Sequence, residues 1–173
     1  MNLEGYVACI CEGSAEQAVM DILLEEEKLI FSEEKLLTGE IIRCRKAKSF
    51  ERKYLRKGFK EKITILRILD SRREKFNLSK AYIDKIKVID IITAPEIEML
   101  IIMNEDKYDA FKSSKMKPSE FCKIKLKYDS VKSYEFVKDY FSDVDQLINS
   151  INEYKRVSKI RKGEYTLSDL ISV

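Results

Sequence analysis

The chain contains no histidine, and only 5 glycines and 2 prolines occur among its 173 residues. Without histidine there is no Ser-His-Asp or Cys-His catalysis, no imidazole acid/base chemistry and no His-ligated metal. The shortage of glycine and proline leaves little material for sandwich turns, collagen-like tracts or long flexible linkers. Any catalysis must therefore use carboxylates, lysines, arginines or hydroxyls, together with a bound cation.

Cysteine is also sparse, and its spacing does not fit a metal site. The four cysteines are Cys9, Cys11, Cys44 and Cys122, and no Cys-x-x-Cys pair occurs among them, which argues against zinc. Cys9 and Cys11 alternate within an apolar run, so a strand would place both on one face. We expect free thiols in a reducing compartment.

Long hydrophobic runs are absent as well. The longest, at residues 86–93 and 97–103, fall far short of the ~18 residues that a membrane-spanning helix needs. Residues 1–5 show neither the basic nor the apolar region of a signal peptide. We expect a soluble, cytoplasmic protein with no membrane partner.

What is present favours one folded domain. A mass of 20.3 kDa and an apolar content of 45% suffice for a buried core. The charged fraction of 36% exceeds the roughly 25% of ordinary soluble domains. Lys and Arg (33) nevertheless almost balance Asp and Glu (30), leaving a net charge of +3. The overall charge therefore does not indicate any particular class of binding partner.

Short apolar runs rich in β-branched residues alternate with amphipathic segments. Buried strands are predicted at residues 6–11, 63–69 and 86–93, with shorter ones at 29–31 and 40–44. Helices are predicted at 14–27, 46–60, 81–83, from Pro95 onward, 134–140, 144–154 and 167–171. A capping box of Ser14 and Gln17 is expected to open the first helix.

This alternation predicts an α/β fold. We expect a single Rossmann-like domain with a mostly parallel central sheet covered by helices. Its core should span about residues 4–110, followed by a helical C-terminal part at about 111–173.

Acidic side chains follow three of the predicted strands. Glu12, Asp70 and the corner at residues 95–98 stand at strand ends, and the carboxyl ends of parallel strands are where α/β sheets bind ligands. Neighbouring carboxylates repel, which raises a pKa or calls for a cation. Mg²⁺ binds one or two carboxylates and keeps waters that can face a phosphate. The same acids are also common at helix starts, where they accept backbone N–H bonds.

A run of positive charge at residues 43–62 follows the acidic first 40 residues. Such a local excess can hold a polyanion through phosphate contacts. The alternative is a solvated helix surface balanced by the acidic segment. The candidate nucleic-acid-binding residues in this run are Arg43, Arg45, Lys46, Lys48, Arg52, Lys53 and Arg56.

Three segments resemble the motifs of Toprim domains. The run Cys-Glu-Gly-Ser-Ala-Glu at residues 11–16 resembles their Glu-Gly-x-x-Glu opening, and more narrowly the Cys-Glu-Gly form of RloB-like and OLD-like Toprim proteins. Asp70 stands where the Asp-x-Asp motif begins, with Arg72 in the second acidic position. Residues 94–102 resemble the Asn-Pro-x-x-Glu segment of the RloB-like group, although Asn104 falls where that group tends to show His. A looser similarity covers Tyr128 and Lys132.

The resemblance implies roles for individual residues. Glu12 would be the catalytic acid/base or a metal-site residue, Asp70 would serve catalysis and Mg²⁺ (or Mn²⁺), and Glu98 would be the acid of the third motif. Arg72 in place of an aspartate would instead contact a substrate phosphate. Further ligand candidates are Glu16, Glu74 and Glu96.

Two functions follow as expectations. The first is a Mg²⁺-dependent nuclease that cleaves phosphodiesters, which the resemblance places in bacterial defence against phage or plasmids. The second is a non-catalytic Toprim-like module that binds nucleic acid, a nucleotide or a protein partner. The resemblance also implies an ATPase or other protein subunit as partner, and a homo-oligomer stays open.

Overall fold

Four parallel strands form the centre of the molecule. The structure, a computed structural model, describes residues 1–55, 60–93 and 97–172. The strands are β1 (Tyr6–Cys11), β2 (Ile42–Arg43), β3 (Ile63–Leu69) and β4 (Ile86–Ile92). They lie in the order β2-β1-β3-β4, and every neighbouring pair is parallel. The prediction of an α/β fold of Rossmann-like type with a parallel sheet is confirmed.

Helices cover both faces of this sheet. In the described residues there are seven α-helices: α1 (Ser14–Glu25), α2 (Ala47–Tyr54), α3 (Met99–Asn104), α4 (Tyr108–Ser114), α5 (Pro118–Ile124), α6 (Tyr134–Tyr140) and α7 (Val144–Val157). Two short 3₁₀ helices lie at Glu33–Lys35 and Leu167–Leu170. Within those same ranges, no helix has the length and apolar character needed to span a membrane.

Strand alternation divides the core in two. Val7, Cys9 and Cys11 of β1 point into the larger part, which contains α1 and helices α3 to α7. Ala8 and Ile10 point to the other face, where α2 packs through Phe50. Since α6 and α7 pack on α1 and α3, the helical C-terminal part continues the core. The residue after β1 points toward α2, because side chains alternate along a strand.

Several predicted elements differ in the structure. The segment at 29–31 forms only an isolated bridge between Leu29 and Ile171. Residues 81–83 form a hydrogen-bonded turn, not a helix, because three residues are too few to nucleate one. The helix predicted over 46–60 ends at Tyr54, and residues 56–59, which include Arg56, lie outside the described part. The helix predicted at 167–171 is the 3₁₀ helix.

The expected capping box at the start of α1 is also wrong. Gly13 is the N-cap and no side chain caps the helix. The Glu16 carboxylate folds over Gly13 so closely that a Cβ at position 13 would collide with it. A side chain at position 13 would therefore force the Glu16 carboxylate to move from its place over this turn. Pro95, predicted to open the next helix, lies outside the described residues; α3 begins at Met99.

The chain after α7 returns along the sheet edge. Tyr165 forms a parallel bridge with Ile91 of β4, and its carbonyl accepts a hydrogen bond from the Ile92 N–H at 2.8 Å. The carbonyl of Leu170 then accepts from the Ile30 N–H at 2.8 Å. This segment, residues 158–172, thus joins β4 to the chain beyond α1 and is called the C-terminal strap below.

Candidate active site at the carboxyl edge of the sheet

Glu12 and Asp70 lie at the same edge of the sheet. Cys11, the last residue of β1, pairs with Ile68 of β3, so the residues that follow these two strands meet at one edge. The negative charge of Asp70 raises the pKa of both Glu12 and Glu16, which places all three carboxyls in one electrostatic neighbourhood. The two predicted residues thus follow adjacent strands at one edge of the sheet, and their convergence on one ion stays a prediction.

The Glu12 carboxylate is held between two arginines. Its Oε2 lies 3.4 Å from Nε of Arg45, and its Oε1 lies 3.6 Å from Nη2 of Arg67. Both distances exceed the roughly 2.7–2.9 Å of a charge-assisted hydrogen bond. Oε1 of Glu12 and Nη2 of Arg67 are buried and have no hydrogen-bond partner among the described residues. Glu12 is thus neutralised by charge, but its hydrogen-bonding capacity is not used up.

The pKa of Glu12 is raised. Burial is the largest cause, the negative charge of Glu74 is the next, and Asp70 adds to it. The positive charges of Arg45 and Arg67 act in the opposite direction without cancelling the shift. A carboxyl that holds its proton to higher pH is better suited to general acid/base work near neutrality.

Glu16 is a second buried carboxyl in this cleft. It lies in the first turn of α1 and is 8% exposed. Burial raises its pKa, and Asp70 adds to the shift, whereas Lys132 and Arg43 lower it. The cleft therefore contains acids from the β1–α1 turn and from the segment after β3, with cations around them.

Glu98 occupies a separate, deeper position. It is 2% exposed and stands at the N-cap of α3, where its Oε1 lies 3.0 Å from Nζ of Lys132. The positive charge of Lys132 also acts on Glu16, whose pKa it lowers against the larger effect of burial. Glu98 is thus engaged by a lysine, and Glu96 lies outside the described residues.

Arg72 is bound to the C-terminal strap. Its guanidinium forms two hydrogen bonds with Glu164 of the C-terminal strap, Nε to Oε1 at 2.7 Å and Nη2 to Oε2 at 3.1 Å, and a third with the Lys159 carbonyl. Arg72 therefore ties the loop after β3 to the strap. Glu74, two residues further on, remains near Glu12.

The basic residues surround α2 on the Glu12 side of the sheet. Arg45 contacts Glu12, and Nζ of Lys53 lies 4.9 Å above the Tyr54 ring. The other members of this group that are described are exposed: Arg43, Lys46, Lys48 and Arg52. The arrangement places a positively charged surface next to the acidic cleft.

Two functional side chains were not among the predicted site residues, Arg67 and Lys132. Arg67 is the one charged residue in the apolar run 63–69, and this is the signal that marks it. Lys132 lies in the segment that only the looser similarity covers. Local sequence does not predict that Arg67 contacts Glu12 or that Lys132 contacts Glu98, because the two residues of each pair are distant along the chain.

The acids of the cleft suit a divalent cation. Glu12 keeps an unused buried oxygen, and Asp70 and Glu74 add unfavourable negative charge to it. Mg²⁺ needs only one or two carboxylates beside its waters, so Glu12 with Asp70 fits that chemistry. No group of three Asp, Glu or Cys side chains in the described ranges is arranged to hold a metal.

No known protein family, curated protein or solved structure matches this chain. Fold and site define a parallel α/β protein with an acidic cleft at the carboxyl edge of its sheet and a basic helix beside it. Since one fold serves many functions, function has to be argued from the side chains of the cleft.

Proposed function

We propose that this protein is a Toprim-like, divalent-metal-dependent nuclease that cleaves phosphodiester bonds. The observation that carries the proposal is the placement of Glu12 and Asp70 at the ends of adjacent parallel strands, with the charge of Asp70 acting on Glu12. The resemblance of residues 11–16 and of Asp70 to Toprim motifs supports it. A role in bacterial defence and an ATPase or other subunit as partner belong to the same proposal.

Each side chain of the cleft has a task in this reaction. Glu12, with its raised pKa, exchanges a proton with the attacking or leaving oxygen. Asp70 would hold Mg²⁺ or Mn²⁺, with Glu16 and Glu74 as neighbouring acids, and Glu12 would join as a ligand only when it carries no proton. When bound, the ion supplies positive charge at the scissile phosphate. The exposed cations on α2 hold flanking phosphates.

A second candidate is a module that binds nucleic acid without cleaving it. It is favoured by the pairing of Glu12 with two arginines. Their positive charge already balances the negative charge of the carboxylate, which a metal ion would otherwise balance. In this case the basic surface around α2 is the functional element, and the carboxyls orient it.

Substitution of the two carboxyls tests the proposal. We expect Glu12→Gln and Asp70→Asn each to abolish Mg²⁺- or Mn²⁺-dependent cleavage of labelled single-stranded and duplex DNA and RNA, because each removes a charge the reaction needs. Circular dichroism should show the fold unchanged. Glu34→Gln and Asp84→Asn, exposed acids elsewhere on the surface, serve as matched controls.

Calorimetry with Mn²⁺ separates the two candidates. A nuclease should show saturable binding that Asp70→Asn weakens. Wild-type protein that binds nucleic acid, but neither binds Mn²⁺ nor cleaves the nucleic acid, supports the second candidate. Cleavage by both carboxyl variants at the wild-type rate would remove the first.

A further inference from the structure

Arg67 is a buried cation that the proposed reaction does not use directly. It lies in the interior of β3 and is only 3% exposed. Charged side chains are almost never buried to this extent unless they are paired. Its contacts therefore indicate why a charge is retained inside an otherwise apolar strand.

Three neighbours hold the Arg67 guanidinium. Nη1 donates to Oδ1 of Asp90, its register partner on β4, at 3.1 Å. The Phe76 ring lies 4.9 Å from the guanidinium carbon, and Phe76 itself packs on Phe50 of α2. The third neighbour is Glu12, whose Oε1 faces Nη2 at 3.6 Å. Two sides of the guanidinium are thus braced, and the remaining side faces Glu12.

Arg45 contacts the same carboxylate under very different conditions. Its side chain is 68% exposed, against 3% for Arg67. Within the part of the chain that is described, its ion pair with Glu12 is the only one it makes. Arg45 can therefore leave Glu12 for a phosphate in solvent, whereas Arg67 cannot reach solvent without disrupting β3.

We propose that Arg67 is a positioning residue that holds the Glu12 carboxylate in place at the end of β1, and that Arg45 exchanges between Glu12 and a substrate phosphate. The catalytic consequence rests on the proposed function, but the placement of Glu12 does not. Catalytic groups must be held to within about 0.5 Å, and a displacement of 1 Å lowers a rate by roughly 10²-fold. Asp90 and Phe76 brace Arg67 for this task.

Steady-state kinetics on matched arginine variants test whether Arg67 positions Glu12 and Arg45 binds a substrate phosphate. Arg67→Met should lower kcat by roughly 10- to 100-fold with KM within about twofold of wild type. Arg67→Lys should restore part of kcat, because one ammonium cannot reach both Asp90 and Glu12. Arg45→Met should raise KM several-fold and leave kcat nearly unchanged. The control is Arg156→Gln, which removes a surface pair with Glu153 on α7.

Crystal structures give a readout that does not depend on cleavage. In Arg67→Met, and to a smaller degree in Asp90→Asn, the Glu12 carboxylate should move from its wild-type position. Asp90 is 43% exposed, so its variant is expected to fold even if Arg67→Met does not. A Glu12 that stays in place in the folded variants overturns the positioning role, as does a KM effect alone at Arg67. If Glu12 moves but wild-type protein cleaves nothing, the positioning role stands and the nuclease proposal fails.

Discussion

At the scale of single residues, two glutamates near the sheet edge are both buried but have different neighbours. Glu16 is 8% exposed and Glu98 is 2% exposed, yet their environments differ. Glu98 has Lys132 at ion-pair distance, while burial outweighs the cations near Glu16 and raises its pKa. A folded protein that binds a proton more tightly than its unfolded chain loses stability as the pH rises through the raised pKa.

Glu16→Gln tests this consequence. Glutamine cannot ionise, so the variant should be more stable than wild type above the raised pKa, and the difference should vanish below the ordinary pKa of 4.5. We expect a gain at pH 7 of about 1 kcal/mol, or about 2–4 °C in melting temperature for a chain of this size. Urea unfolding at pH 4 and pH 7 measures it.

The control for this comparison is Glu26→Gln, which removes one exposed negative charge just beyond α1. An increase in the stability of wild type relative to Glu16→Gln between pH 4 and pH 7 would contradict the expectation. That result would mean that Lys132 and Arg43 outweigh the burial of the carboxyl.

The sequence predicted Glu12 and Asp70 as site residues, because acids at the carboxyl ends of parallel strands lie where such sheets bind ligands, and that they form one site stays a prediction. Arg67 and Lys132 were missed for a different reason. Their partners lie on other elements, and only the packing of β1 on β3, and of the segment after α5 near α3, brings each pair together. Arg72 was assigned to the cleft by motif position, but its side chain bonds to Glu164.

At the scale of elements, the Arg72–Glu164 pair joins the loop after β3 to the C-terminal strap. The bond to Arg72, with a further one from the Arg161 N–H, lowers the pKa of Glu164 to about 2. The contact therefore contributes its full stability above the ordinary carboxyl pKa and loses it as the pH falls toward 2. At neutral pH the strap is held along β4 by this pair and by the Tyr165 bridge.

Glu164→Gln should loosen the strap and leave the rest of the fold unchanged. An exposed two-point ion pair contributes about 0.5–1 kcal/mol, so amide exchange should accelerate by roughly two- to fivefold. The reporters are the Ile92 and Ile30 amides, which donate to strap carbonyls. Hydrogen exchange followed by mass spectrometry or NMR measures the effect.

Glu153→Gln is the matched control, since its partner Arg156 lies one turn away on the same helix. It should leave both amides at their wild-type rates. Equal protection of Ile92 in Glu164→Gln and in wild type would show that the Arg72–Glu164 pair does not help to hold the strap along β4.

Elements with strong periodicity were predicted well. β3 and β4 are rich in β-branched residues, and α6 and α7 follow their apolar spacing to within a few residues. Elements with weak periodicity were not predicted correctly. The segment at 81–83 is a turn in which the Tyr82 and Ile83 amides bond back to the Ser79 carbonyl, and α4 has no buried residue that would give it a clear apolar pattern.

At the scale of the whole molecule, the exposed cations of α2 and of the loop before it form a positively charged surface beside Glu12. Exposed cations of α2 and the loop before it lie on the Glu12 face, whereas α5 packs into the opposite core. Lys48 and Arg52 are four residues apart and share one side of α2. A polyanion bound to this side would displace counterions, so its affinity should fall with salt.

Lys48→Gln and Arg52→Gln should each reduce the slope of log K against log salt by about 1, because each removes one phosphate contact. Fluorescence anisotropy with a labelled oligonucleotide, measured over a range of salt concentrations, gives the slopes. Lys123→Gln on α5 removes an exposed positive charge on the opposite side and should leave the slope unchanged. An equal decrease in all three variants would indicate non-specific attraction to the whole surface.

The sequence by itself predicted the three long strands, the α/β class with a parallel sheet and the acids at the strand ends, because hydrophobic periodicity and the alternation of strands with helices can be followed along the chain. Tertiary structure alone decided which cations meet those acids. Arg67 and Arg45 meet at Glu12 although 22 positions separate them, and Lys132 reaches Glu98 across 34. Such pairings depend on which faces of distant elements pack together, and packing is a property of the whole core rather than of any segment.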